Sequence, residues 1–109
     1  SVNGSRILVL GLAYKRNTGD ARESPAIAVV DQLLQLGADV RAADPHVGGH
    51  QPPQRVPRAE VTSEELSAAD LVVLLTDHDE FDYGLVAEHA RSILDTRRRL
   101  HACPQVEYL

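Results

Sequence analysis

The sequence predicts an α/β domain of three layers, with a mainly parallel sheet between helices. Three observations lead there. The runs Arg6–Gly11 and Leu71–Leu75 are apolar without alternation, as expected for strands buried on both faces. The first run is followed by a helical pattern that opens at Ser24-Pro25 and stops at Gly37. Strand-like and helix-like segments then alternate along the chain at lengths that suit βα units. The class is Rossmann-like. Right-handed crossovers favour the strand order 3-2-1-4-5, with a last strand beside the fifth, giving 3-2-1-4-5-6.

Each element has a local reason. Ser24 suits an N-cap and Pro25 the first helical position, and Gly37 ends the helix near Leu36. The polar residues Asp31, Gln32 and Gln35 form only a narrow stripe, so most of this helix is expected to be covered. Ala38–Ala43 reads as the second strand, closed by the Asp44-Pro45 turn. Residues 45–58 carry Gly48-Gly49 and Pro52-Pro53 and read as an irregular loop. A short third strand is expected near Glu60-Val61. Thr62-Ser-Glu-Glu65 fits a capping box for one or two helical turns. Leu71–Leu75 is the central strand, and Phe81 to about Arg91 is helical. Ser92–Asp95 and Val106–Leu109 complete the sheet.

Size and composition bound the function. A chain of 109 residues supports one domain with one core. No apolar run approaches the roughly 20 residues of a membrane span. A net charge of −5 argues against a broad nucleic-acid surface. The single cysteine, Cys103, excludes an internal disulfide framework. No signal peptide is read at the N-terminus, and a cytoplasmic location is the expectation.

The segment Gly11–Pro25 is the most informative. It joins the first strand to the first helix, at the sheet edge where such folds bind ligands. It holds Lys15, the only lysine among 11 basic residues; the other ten are arginine. Its flexible point-charge ammonium differs from a planar guanidinium. On chemistry alone Lys15 is either a binding group or a solvated loop residue. The predicted strand order brings Tyr14/Lys15, Asp77/His78 and Arg97-Arg98-Arg99 to one edge. Lys15 and Arg97, about one strand spacing apart, would suit a pyrophosphate or a polyhydroxylated sugar.

Five blocks carry a family resemblance: Leu10-Gly-Leu-Ala-Tyr-Lys15, Asp20-Ala-Arg-Glu-Ser-Pro25, Ala43-Asp-Pro45, Thr76-Asp-His-Asp-Glu-Phe81 and Leu94-Asp-Thr-Arg97. In order and approximate spacing they resemble the C-terminal, UDP-binding domain of the UDP-glucose/GDP-mannose dehydrogenase family. Those enzymes are NAD-dependent nucleotide-sugar 6-dehydrogenases. The resemblance implies substrate-binding roles for Tyr14, Lys15 and Arg97, and a contact from Arg22 to NAD held by another domain. The family often has Phe where Tyr14 stands. The resemblance also implies a longer parent enzyme, a homodimer or larger, whose NAD-binding and central dimerisation domains are absent from this chain. The parent would oxidise the C6 alcohol of a UDP-sugar to a carboxylate through a thiol-linked intermediate, and this domain alone would be inactive. Asp77-His78 is more like the branch acting on UDP-N-acetylhexosamines.

Other residues receive plainer readings. Asp44 stands where a dinucleotide-binding fold places a ribose-binding acid, but the first loop lacks Gly-x-Gly-x-x-Gly, so Asp44 reads as a turn residue. This domain is therefore not expected to hold NAD by itself. His46 and His50 are too isolated to suggest a metal, and His89 reads as a helix-face residue. Cys103 lies in a tail without the family's Gly-rich thiol motif and is not assigned as a nucleophile, so no catalytic residue is expected here. Two other classes stay open: a stand-alone regulatory module that binds a nucleotide or sugar phosphate, and a structural α/β interaction domain.

Overall fold

The computed structural model describes residues 2–21 and 24–109. Arg22, the expected cofactor contact, lies outside the described residues. The strands are β1 (Arg6–Leu10), β2 (Asp39–Ala43), β3 (Leu71–Leu74), β4 (Ile93–Asp95) and β5 (Val106–Tyr108). The helices are α1 (Pro25–Gln35), α2 (Ser63–Ala68) and α3 (Tyr83–His89). The five strands form one sheet in the order β2-β1-β3-β4-β5, and every pairing is parallel.

β1 shows why its sequence lacks alternation. Ile7 and Val9 pack into a core shared with Val30 of α1 and with Val40 and Ala42. Leu8 and Leu10 pack into a second core with Leu66 of α2, Val86 of α3 and Ile93. Both faces of the strand are thus removed from water, so both sets of positions must be apolar.

Helix ends follow local chemistry. The Ser24 hydroxyl accepts from the Ala26 N–H at 3.2 Å, and Pro25 opens α1. At the other end, Ala38 N–H donates to the Leu33 carbonyl and Gly37 N–H to that of Leu34, with Gly37 at φ +89. This is a Schellman stop, and it needs the left-handed conformation that glycine adopts at little cost. Thr62 Oγ1 accepts from Glu65 N–H at 3.2 Å at the start of α2. The Glu65 carboxylate instead meets Arg41 at 2.8 Å and Arg6 at 3.6 Å.

Three expectations are corrected. No third strand forms at Glu60-Val61. In its place is a single parallel bridge, Ala42 to Arg58, fixed by Ala42 N–H to Pro57 O and Ala59 N–H to Ala42 O. Pro57 has no N–H to extend a ladder, and the chain turns into the Thr62 cap within a few residues. The order 3-2-1-4-5-6 therefore survives with its first strand reduced to a bridge. The last helix begins at Tyr83, not Phe81, because the Asp82 side chain caps it by accepting from Leu85 N–H. Phe81 is freed from the helix and packs into the second core. Finally, α1 is less covered than its apolar sequence suggested. Only Ala26 and Val30 are fully buried, and Leu36 is 52% exposed.

Candidate functional site

The loops leaving β1, β2 and β3 meet at the C-terminal edge of the sheet. Gly11 begins the first loop at φ +94, donating its N–H to Ala43 O. A Cβ there would collide with the Thr76 backbone, so only glycine lets the two loops approach.

Asp44 is the hub of this edge. Its Oδ2 accepts from the N–H groups of Leu12 (2.7 Å) and Ala13 (3.1 Å) and lies 2.8 Å from His78 Nε2. Its Oδ1 accepts from His46 N–H at 2.8 Å. The reading of Asp44 as a turn residue thus covers one of its two oxygens. Burial opposes ionisation of this carboxyl, but the hydrogen bonds from His78, Leu12 and His46 outweigh it and hold its pKa below the ordinary value.

His78 faces Asp44 with one nitrogen and the first loop with the other. Asn17 N–H donates to Nδ1 at 2.8 Å, so Nδ1 is the acceptor and Nε2 carries the hydrogen directed at Asp44. Both side chains are fully buried. Asn17, at φ 60, also exchanges side-chain and backbone hydrogen bonds with Asp79. Thr76 Oγ1 and Ser24 Oγ both donate to Ala13 O.

The cations at this edge divide into two groups. Arg16 pairs with Asp77 at 2.9 Å. Arg99 pairs with Asp77 at 3.1 Å and Asp79 at 2.9 Å, and its guanidinium lies over the Tyr83 ring. Burial disfavours the Asp77 anion, yet Arg16 and Arg99 together leave its pKa lowered. Burial pushes the Tyr83 hydroxyl up to about 12, where it donates to His78 O at 2.6 Å. Arg98 lies over Tyr108. Lys15 and Arg97 are exposed and form no ion pair among the described residues. Arg97 is steadied by Nε donating to Leu75 O at 2.8 Å. Tyr14, beside Lys15, is 50% exposed.

One distance expectation is corrected. β3 lies between β1 and β4, so the loops bearing Lys15 and Arg97 are two strand intervals apart, roughly 10 Å at the usual strand spacing.

Two features lie beside this edge. An open cleft of about 650 Å³ is lined by Asp44, Gly48, Arg58, Glu60, Glu80 and Phe81, among others. Its carboxylates make it a poor match for an anion. His46, His78 and Glu80 bring donor atoms within 4.8 Å of one another. The His46 and His78 rings lie 4.7 Å apart, and His46 Nε2 is 2.7 Å from Glu80. A metal ion drawing on His78 would break its bond to Asn17 or Asp44 inside a buried site. The group is therefore read as a hydrogen-bonding network.

The residues also bear on NAD. The first loop has no glycine fingerprint, the Gly11 N–H is spent on Ala43, and the Asp44 carboxylate is turned inward onto Leu12 and Ala13. Among the described residues, neither a pyrophosphate cradle nor a free ribose acid is present in the usual dinucleotide manner.

The comparison that decides the lineage is with family models. Residues 8–102 match the UDP-glucose/GDP-mannose dehydrogenase family, UDP binding domain. The chain belongs to this family. Among its relatives, UDP-glucose 6-dehydrogenase YwqF of Bacillus subtilis is 42% identical over 79 residues, which is 70% of this chain and 18% of the relative. UDP-glucose 6-dehydrogenase AglM of Haloferax volcanii is 39% identical over 103 residues, covering 89% of this chain and 24% of the relative. The UDP-D-ManNAc dehydrogenase of Pyrococcus horikoshii has the same architecture at TM-score 0.74 and 27% identity, over 97% of this chain and 25% of that one. This chain thus spans about a quarter or less of the relatives it matches.

The loop that carries Lys15 is anchored on Asp44. The structure places the loops bearing Tyr14, Lys15 and Arg97, the three residues proposed from sequence, at one edge of the sheet. Asp44, Asn17 and the pairing of Arg16 and Arg99 with Asp77 were not legible in the sequence. The signal for Asp44 was present: an acid at the end of β2 faces the loop after β1 in such a sheet. No helix among the described residues is long and apolar enough to cross a membrane.

Proposed function

We propose that this chain holds the UDP-sugar substrate for an NAD-dependent nucleotide-sugar 6-dehydrogenase, as the C-terminal domain of a longer, cytoplasmic enzyme that is a homodimer or larger. The observation that carries the reading is the division of charge at the sheet edge. Arg16 and Arg99 are neutralised by Asp77 and Asp79, whereas Lys15 and Arg97 are exposed, form no ion pair among the described residues and stand on loops two strand intervals apart.

In this reading Lys15 Nζ donates to the pyrophosphate or a sugar hydroxyl. Arg97, held through Nε, presents its remaining N–H groups to the same ligand. Tyr14 offers its exposed ring face and hydroxyl beside them. Oxidation of the C6 alcohol to a carboxylate would remove two hydrides, take its second oxygen from one water and release three protons. The hydride acceptor and the thiol lie in the rest of the enzyme, since the residues here do not fit NAD and Cys103 lies away from the edge. Arg22, in the family's Arg-Glu-Ser block, is assigned to a contact with NAD across the domain boundary. The domain serves to bind and orient, which lowers the entropic cost of reaction at the C6 carbon.

Titrating the ¹⁵N-labelled chain with UDP-glucose, UDP-N-acetylglucosamine and GDP-mannose tests the reading. The expected result is selective shifts at Tyr14, Lys15 and Arg97 with a UDP-sugar. Shifts confined to the cleft beside Gly48 and Arg58 would overturn it.

A further inference from the structure

We propose that the buried Asp44–His78 pair is the positioning device for Lys15, setting the shape of the loop before the nucleotide sugar arrives; this rests on the reading of Lys15 as a substrate-binding group. Lys15 sits on a short arch whose two feet are held by that pair. At one foot, Asp44 accepts from Leu12 and Ala13 N–H at 2.7 and 3.1 Å. At the other, His78 Nδ1 accepts from Asn17 N–H at 2.8 Å. The pair itself is closed by His78 Nε2 to Asp44 Oδ2 at 2.8 Å, with both side chains fully buried.

The direction of each bond matters. A backbone N–H aimed at Nδ1 requires that nitrogen to be bare, so the ring hydrogen sits on Nε2. The Asp44 anion stabilises that tautomer. The acid from the end of β2 therefore selects the form of the histidine from the end of β3, and the histidine fixes the loop from the end of β1. Elements far apart in sequence meet in one line of hydrogen bonds.

The arch has further restraints: Arg16 pairs with Asp77 at 2.9 Å, and the Asn17 side chain exchanges hydrogen bonds with Asp79 at 2.8 and 3.0 Å. Thr18 Oγ1 donates to Lys15 O at 3.1 Å and Tyr14 N–H donates to Asp20 O at 2.7 Å. Tyr14 and Lys15 are exposed. An arch ordered in advance spares the ligand the cost of ordering it, so loss of a foot should appear as weaker binding.

Histidine has two partial mimics here. Asparagine places an acceptor near the Nδ1 position, and glutamine places a donor near Nε2. His78→Asn should keep part of the protection of Asn17 N–H and weaken UDP-glucose binding less than His78→Gln does. His78→Gln should expose that amide and weaken binding by about fivefold, the usual effect of one lost hydrogen bond. The prediction is that affinity follows Asn17 protection and not melting temperature. In the unsubstituted chain, ¹⁵N correlations of the imidazole should show the Nε2–H tautomer, a check that no folding defect can obscure. Equal binding by the two variants, or the Nδ1–H tautomer, overturns the positioning role. If instead the wild type gives no shifts at the loop, or Lys15→Ala leaves UDP-glucose affinity unchanged, the substrate-site reading itself fails.

Discussion

Arg97 donates its Nε hydrogen to the carbonyl oxygen of Leu75 at 2.8 Å, which ties the guanidinium to the end of β3 while the residue stays exposed. Arg97 is thus oriented without being neutralised. Lys15 also lacks a carboxylate partner among the described residues. Lys15→Ala and Arg97→Ala should each weaken UDP-sugar binding by roughly 1.5–3 kcal/mol, the range for charged hydrogen bonds. Arg99→Ala should act differently, lowering melting temperature through loss of its contacts with Asp77 and Asp79. Calorimetry and thermal denaturation of the three variants separate these roles. Loss of binding in Arg99→Ala at unchanged stability would contradict the division of charge.

Gly11→Ala should destabilise the fold by about 3 kcal/mol or more. The residue would carry a Cβ at φ +94 and drive it into the Thr76 backbone, which is not a flexible side-chain end. Chemical denaturation should show a lower midpoint with little change in slope. A midpoint like that of the wild type would mean that the β1 and β3 loops part more readily than their packing implies.

What the sequence disclosed was mostly local chemistry. Ser24, Pro25 and Gly37 mark both ends of α1 because capping needs only neighbouring atoms. The unbroken apolar runs of β1 and β3 announce strands covered on both faces. Lys15 stood out as a compositional exception in a loop, and the strand order placed Arg97 on the same edge. Partnership across the fold was hidden. Asp44 and His78 are 34 residues apart, and nothing in either neighbourhood specifies that their side chains meet. The missing strand at Glu60-Val61 likewise depended on the path of the chain, which meets β2 only at the Ala42–Arg58 bridge and reaches the Thr62 cap four residues later. The apolar surface of α1 was overread: an apolar sequence reports what can be buried, whereas Leu36 remains half exposed on this chain.

Acid should unfold the protein through Asp44 and Asp77. Both have native pKa values below the unfolded value of 3.8. A carboxyl depressed in the native state contributes stability that is complete above its unfolded pKa. That contribution is lost as pH falls through the native pKa, because the unfolded chain then binds protons more readily. Stability should therefore decline below about pH 4. Asp44→Asn should cost about 2–4 kcal/mol at neutral pH, since an amide presents N–H groups where the carboxylate accepts them. The same variant should flatten the acid limb of a plot of stability against pH. Parallel limbs for variant and wild type would remove Asp44 from the acid response.

The last test concerns the thiol. Cys103 is partly buried, and its carbonyl accepts from Val106 N–H in the turn that leads into β5. β5 is the sheet strand farthest from the Lys15 loop, with β3 and β4 between it and β1. A nucleophile for C6 would have to sit within bonding distance of a sugar held by Lys15 and Arg97, and the turn before β5 leaves from the opposite, N-terminal end of that strand. Cys103→Ser preserves the turn, because its hydrogen bond uses the backbone carbonyl and the two side chains are similar in size. In the longer enzyme proposed here, Cys103→Ser should leave kcat/KM within about twofold of the wild type. Lys15→Ala should lower it at least about tenfold, or 1.4 kcal/mol. Lys15→Arg should recover only part of that loss, since a planar fork cannot occupy the position of a point donor. Steady-state kinetics of the three variants decides the matter, and abolished turnover in Cys103→Ser would place the nucleophile in this domain.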